Sequence, residues 1–360
     1  MENNLKLVVP DNFKKFGENV NYHLNQIRDT DDKYIVNMNL IRFNNGEGKC
    51  IINESVRDED IYILTDIGNY DITYNSQRGI HHMMPDEHFQ DIKRIISATD
   101  GHAKRITLIM PLLYQSRQDK RKGNESLDCA IALQDLENMG VQTIITFDAH
   151  NPSVCNAIPR LPFENFYPTH RILEEIIDNE EIKDIFVVSP DMGAMERARY
   201  YADMLGCDVG VFYKRRDLSK VVNGKNPIIE HMYLGADPKD RDIMVVDDMI
   251  ASGGSILEVS ENLRKKGANK IFLVTTFSLF TEGVESFIKA YEEGLFDKLY
   301  TTNLSYVPDE IKEKPWFQEV DCSKYLATII KTYHNQEETE KLWNGKKSII
   351  NKIEMKKEEE

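Results

Sequence analysis

The residues with the clearest chemical meaning lie in VVDDMIASGGSI at 245–256, where an apolar run ends in Asp247 and Asp248 and a Ser252-Gly253-Gly254-Ser255 turn opens the next segment. Adjacent glycines let backbone N–H groups converge on a phosphate, a helix N-terminus adds positive potential, and Ser252 and Ser255 bring hydroxyl donors. Carboxylates beside such a loop cannot favour an anion through charge. They make sense as acceptors for the hydroxyls of a sugar that carries the phosphate, so the pattern predicts a sugar-phosphate cradle. A plain strand-to-helix turn with an N-capping serine is the ordinary meaning of a bare Gly-Gly, but it accounts for neither aspartate.

Two further clusters are basic. LYQSRQDKRKGNES places Arg117, Lys120, Arg121 and Lys122 directly after an apolar run, and FYKRRDLSK places Lys214, Arg215 and Arg216 after another. A solvated loop is the usual meaning of such a run. On a chain whose 45 Lys and Arg face 60 Asp and Glu, for a net charge of −15, local polyphosphate sites explain them better. His150 ends ITFDAH and Asp191 ends VVSPD, each a cap or a loop residue by default. As ligands they offer one nitrogen and one carboxylate, a sparse set suited to Mg²⁺ that keeps most of its coordination as water and nucleotide phosphate. IHHMMPDEHF at 80–89 carries His81, His82 and His88 but reads mostly as a solvated loop, because nothing around it aims three imidazoles at one point.

The elements that must position these groups follow from the alternation of short β-branched runs with helical periods: KRITLIMPLL, SLDCAIALQDLENMG and VQTIITFDAH, then DIFVVSP, AMERARYYADMLG, DVGVFYKRR, RDIMVVDDMI, SILEVSENLRKKG and NKIFLVTTF. This is the pattern of βαβ units on a parallel sheet, with strands at 185–189, 243–248 and 271–277 apolar on both parities and Gly140, Gly206 and Gly267 closing the helices. In such sheets ligands collect beyond the carboxyl ends of the strands, which is where the polar groups fall. The chain of 360 residues suits two domains, and the pattern occurs around 104–150 and again across 183–277. The proline-interrupted stretch 156–170 is the expected boundary. The first 33 residues and the closing charge run are expected to fray.

The acidic balance argues against binding along nucleic acid or an anionic membrane. The longest strongly apolar run, 271–280, is too short to span a bilayer, and the start has no apolar signal segment, so a soluble, cytoplasmic protein is expected. Five dispersed cysteines, with no Cys-x-x-Cys pair, suggest reduced thiols.

In their order and spacing, VVDDMIASGGSI, VVSPDMGAMERARYYADMLG, YKRRD, SRQDKR and ITFDAH resemble the ribose-phosphate diphosphokinases, the phosphoribosyl pyrophosphate synthetases. The similarity runs from about Ile41 to Tyr333 and includes RFNNGEGKCIINESVRDEDIYIL, which looks like that family's Phe-x-x-x-Glu nucleotide loop and the turn after it. The resemblance implies an α/β fold of two phosphoribosyltransferase-like domains, each a mainly parallel sheet flanked by helices. The first would span 1–160 and the second 161–318, with a helix over 319–336 returning to the first and a charged tail over 337–360. It implies transfer of the pyrophosphoryl group of ATP to the anomeric hydroxyl of ribose 5-phosphate, with Mg²⁺, in a homo-oligomer (dimer or hexamer). Phe43, Asn45 and Glu47 would contact adenine from a neighbouring subunit, and Arg117 and Gln118 would hold ATP. His150 and Asp191 would serve Mg²⁺, and Lys214 and Arg216 would be the catalytic pair on a mobile loop. Asp247, Asp248 and Ser252, Gly253, Gly254 and Ser255 would bind ribose 5-phosphate.

Three departures mark the chain as a divergent branch. Ala251 stands where the family has Asp, NPSVCNAIP replaces its usual Gln-x-Gln-Gly-Phe-Phe, and the segments 68–90 and 217–240 are longer than usual. Two other functions fit parts of the pattern. A phosphoribosyltransferase would use the same cradle, and Ala before the Gly-Gly turn occurs in some of them, but it has no use for the two basic clusters. A non-catalytic subunit regulating a genuine synthetase has no chemical need for Lys214, Arg216, His150 and Asp191.

Overall fold

The computed structural model describes residues 4–121, 123–182, 184–216, 228–343 and 345–359; the side chains of 214–216, 228–231 and 357–359 lie outside that description. The chain forms two units, one of residues 1–168, 303–306 and 321–343, the other of 169–302, 307–320 and 344–360.

The first unit opens with β1 (Leu5–Val8) and α1 (Lys14–Arg28), followed by a hairpin of β2 (Met38–Arg42) and β3 (Gly48–Ile52). Then come β4 (Asp60–Leu64), a second hairpin of β5 (Thr73–Ser76) and β6 (Gly79–His82), α2 (Pro85–Thr99), β7 (Arg105–Ile109), α3 (Asp128–Asn138), β8 (Thr143–Phe147) and β9 (Phe163–Phe166). Its main sheet is parallel throughout, in the order β1-β4-β7-β8-β9. All five residues of β4 are buried, as a strand covered on both faces requires.

The second unit comprises α4 (Thr169–Asn179), β10 (Phe186–Ser189), α5 (Met195–Leu205), β11 (Val209–Arg216), β12 (Ile228–Leu234), β13 (Ile243–Ile250), α6 (Gly254–Lys265), β14 (Ile271–Ser278), α7 (Glu285–Glu292), β15 (Lys298–Thr302), α8 (Asp309–Lys312) and β16 (Phe317–Val320). Its sheet runs β12-β11-β10-β13-β14-β15-β16, parallel except for β12. Strand parity divides the core. Phe186, Val188, Ile243, Val245, Ile271 and Leu273 pack with Ile256, Val259 and Leu263 of α6, while Val187, Met244, Val246, Phe272 and Val274 pack with α4 and α5. Each such side chain contributes roughly 1.5–3 kcal/mol by leaving water. Gly206 takes a left-handed φ of 67° as the C-cap of α5, where a side chain would be strained.

The remaining helices are α9 (Ser323–His334) and α10 (Glu340–Trp343) in the first unit and α11 (Lys346–Glu359) in the second. Helix α9 packs on α1, and its end is held by His334 Nδ1 against Asp60 Oδ2 at 2.7 Å. Arg105 Nε donates to the other Asp60 oxygen at 2.7 Å. Burial pushes the Asp60 pKa up, but His334 and Arg105 outweigh it and hold the carboxyl below its usual range.

Three expectations need correction, and the expected boundary holds. The opening residues form β1 and α1, whose Phe16, Val20 and Leu24 are buried at helical spacing. The closing charge run is helix α11, packed on α4 and α5 with Ile349 fully buried. The proline-rich stretch 156–170 does hold the division between the units, at Pro168 and Thr169, and it also contains β9, an edge strand beside β8, a sheet position that tolerates such neighbours. Finally, 80–89 is no solvated loop. It ends the second hairpin and begins α2, and His88 is buried, with Nδ1 facing Asn12 Nδ2 at 3.1 Å and Nε2 facing the Asn69 carbonyl at 2.7 Å. His81 pairs instead with Glu87 and His82 with the Tyr70 carbonyl, so the three imidazoles serve three separate partners.

Candidate active site

In the second unit, β13 ends at Ile250, and Ala251 and Ser252 lead to Gly253, the N-cap of α6. Gly253 has φ 78°, and a Cβ on it would lie 2.3 Å from two ring carbons of Phe287, so both backbone and packing demand glycine. Gly254 differs: a Cβ there would meet only Ser252 Oγ, at 3.9 Å. Protein packing leaves that space open. The N-cap of α6 is a glycine, so it brings no side chain of its own to the first turn, where backbone amides and the helix dipole favour an anion.

Asp247 lies across from Thr275 of β14, its Oδ1 accepting from the Asp248 amide at 2.9 Å. Asp248 is buried. Burial, and then the adjacent Asp248 carboxylate, push the Asp247 pKa well above the usual range, and Arg197 pulls it back. Arg197, in the first turn of α5, reaches to 4.0 Å from Asp247 Oδ1 with its side chain 11% exposed. Sequence reasoning gave Arg197 no role. The signal available was an arginine adjoining the small residue Ala198, which is fully buried.

Asp191 precedes α5. Its Oδ1 accepts from the amides of Gly193 at 2.7 Å and Ala194 at 3.1 Å, so one oxygen organises the turn. Lys214 and Arg216 have their backbone in β11, opposite His231 and Ile228 of β12, a strand setting rather than a loop; their side chains lie outside the description, as do residues 217–227.

In the first unit, Arg117 and Gln118 are exposed on the loop after β7, lining an open depression of about 700 Å³ with Asp119, Lys120, Glu125 and Asp128. Lys122 lies outside the described residues. His150 is exposed three residues beyond β8. The two loops are joined, because Asn151 Nδ2 donates to Asp119 Oδ2 at 2.5 Å. Phe43, Asn45 and Glu47 occupy the turn between β2 and β3. Phe43 is 47% exposed, its amide donates to the Glu47 carbonyl at 2.7 Å, and Asn45 Nδ2 donates to Glu47 Oε2 at 2.9 Å. The turn is closed by its own hydrogen bonds. Among the described residues no three His, Cys, Asp or Glu side chains converge as a metal cage.

Parallel α/β units with a glycine loop after an acidic strand end define a phosphoribosyltransferase-like class. Residues 5–140 match the family model described as the N-terminal domain of ribose phosphate pyrophosphokinase, and residues 169–286 match the phosphoribosyl transferase domain. The chain belongs to the ribose-phosphate pyrophosphokinase family. It is 27% identical to ribose-phosphate pyrophosphokinase A of Dictyostelium discoideum over 85% of this chain and 89% of that relative. Identity to the ribose-phosphate pyrophosphokinase of Vibrio cholerae is 28%, over 84% of this chain and 90% of that relative. The fold is shared with the crystal structure of phosphoribosylpyrophosphate synthetase from Mycobacterium smegmatis, at a TM-score of 0.74 and 22% identity, covering 92% of this chain and 99% of that one. No helix among the described residues is long and apolar enough to cross a membrane.

Proposed function

We infer that the chain transfers the pyrophosphoryl group of ATP to the anomeric hydroxyl of ribose 5-phosphate, giving 5-phosphoribosyl 1-pyrophosphate and AMP. The observation that carries the inference is the β13–α6 loop, with two carboxylates, a glycine at the helix N-cap and open space at Gly254. The 5-phosphate sits on the amides from Gly253 to Ser255 and the hydroxyls of Ser252 and Ser255, while Asp247 and Asp248 accept from the ribose hydroxyls. Arg117 and Gln118 hold the ATP phosphates. Phe43, Asn45 and Glu47 receive adenine of a neighbouring subunit, which makes the working form a homo-oligomer.

The anomeric oxygen attacks the β-phosphorus, the bond from that phosphorus to the oxygen bridging the α-phosphate breaks, and AMP leaves with that oxygen while the hydroxyl proton goes to solvent. Charge grows on the leaving oxygen, where Lys214 and Arg216 act. Mg²⁺, when bound, neutralises phosphate charge. His150 in the first unit and Asp191 in the second would each offer a Mg²⁺ ion a single donor, which fits ions that take most of their ligands from phosphate and water. The reaction belongs in the cytoplasm, where ATP is available.

Incubation of the purified protein with Mg-ATP and ribose 5-phosphate tests this. AMP and phosphoribosyl pyrophosphate are expected to appear in equal amounts. Neither product, at any protein concentration, would refute the catalytic reading and leave a regulatory subunit.

A further inference from the structure

We propose that Tyr74, on the hairpin of β5 and β6, is a positioning residue for the Phe43–Glu47 turn and sets nucleotide affinity through Arg42. The inference rests on reading that turn as the adenine contact. The hairpin meets the turn directly: the Gln77 amide donates to the Asn44 carbonyl at 3.0 Å, and a Cβ on Gly46 would lie 3.3 Å from Tyr74 Oη.

Arg42 is the link. Its guanidinium lies over the Tyr74 ring, 5.4 Å from the centroid, while Nη1 donates to the Gly46 carbonyl at 3.2 Å and Nη2 to Asp91 Oδ2 at 2.5 Å. Tyr74 is itself fixed from the far side. Its hydroxyl donates to Glu87 Oε1 at 3.1 Å, and the other Glu87 oxygen takes His81 Nε2 at 2.8 Å and the Met84 amide at 3.1 Å. The ring therefore packs against the cation that donates to the carbonyl of Gly46, a residue at φ 90°. A guanidinium released from the ring has other rotamers open to it, and the turn loses a fixed donor.

The test is steady-state kinetics of the full chain, with KM for ATP and KM for ribose 5-phosphate measured separately for Tyr74→Leu, Tyr74→Phe and Phe43→Ala, together with thermal unfolding. Tyr74→Leu is expected to raise KM for ATP roughly 3- to 30-fold, the span of a cation–π contact, with KM for ribose 5-phosphate and the melting temperature unmoved. Tyr74→Phe keeps the ring over Arg42 but gives up the Glu87 contact, and is expected to raise KM for ATP less than Tyr74→Leu does. If Phe43→Ala raises KM for ATP and Tyr74→Leu does not, the positioning role is wrong and the nucleotide turn stands. If Phe43→Ala leaves KM for ATP unchanged, the reading of the turn itself fails and the positioning role with it. A Tyr74→Leu variant that melts early and raises both KM values alike shows a merely structural residue and overturns the proposal.

Discussion

Gly253 and Gly254 are neighbours in sequence and opposites in what a methyl group would do there, so adding one to each separates packing from ligand space. At Gly253 an alanine must hold φ near 78°, a left-handed conformation costing about 1–2 kcal/mol, and its Cβ must displace the Phe287 ring from 2.3 Å. Phe287 is fully buried between Phe280, Phe296 and Trp316, so overpacking adds about 1–3 kcal/mol. The sum, roughly 2–5 kcal/mol, lowers the melting temperature by about 2–4 °C per kcal/mol in a unit of this size. Gly254→Ala meets neither obstacle. Its methyl enters open space in the first turn of a helix, so the melting temperature should hold or rise slightly. If that space belongs to the 5-phosphate, loss of one amide-to-phosphate hydrogen bond, roughly 1.5–3 kcal/mol, raises KM for ribose 5-phosphate about 10- to 150-fold. Differential scanning calorimetry and initial rates at saturating Mg-ATP give both readouts. Gly254→Ala with an unchanged KM for ribose 5-phosphate would refute the cradle; Gly253→Ala melting like wild type would refute the packing argument.

Removing the cation in Arg197→Gln lets burial and Asp248 raise the Asp247 pKa further, so the acid limb of ribose 5-phosphate affinity moves to higher pH; a superimposable pH profile speaks against Arg197. Asp60→Asn lowers the melting temperature at pH 7. Because the folded Asp60 pKa is depressed, its contribution is present above the unfolded carboxylate value of about 3.9 and is lost as pH falls through the folded one, so wild type and variant converge only at lower pH. A pH-independent difference would mean that the ionic contacts to His334 and Arg105 are not its source. Ala251→Asp should change acceptor preference among pentose phosphates, measured as AMP release, without creating activity in a silent protein; activity found only in the variant would favour a regulatory subunit.

The parallel core was legible because strands buried on both faces are written as apolar runs on both parities, and β10, β13 and β14 fall where those runs stand. The β13–α6 loop was legible because its residue types are rare together. What stayed hidden was carried by partners distant in sequence. His88 reads as a surface histidine until Asn12 and Asn69 satisfy both its nitrogens. Helix α1 spreads its buried Phe16, Val20 and Leu24 among Asn, Glu and Lys, which thins the period. Arg197 shows its worth only once the register of α5 against β13 brings it to Asp247. The hairpin of β5 and β6 has strands of four residues with no buried position, too little pattern for any periodic reading.

Neither unit is written as one continuous stretch of chain. The first takes back residues 303–306 and 321–343 after the second has begun, and the second takes residues 344–360 after that. No single cut separates two complete domains, so a fragment ending near 168 would present the face of α1 that α9 covers, with Asp60 lacking His334. During synthesis, at about 5–20 residues per second, the contact of α1 with α9 cannot form until α9 has left the ribosome. Until then the face of α1 that α9 covers lacks that cover. The order of the chain, more than any local preference, thus sets when this protein is most vulnerable to aggregation.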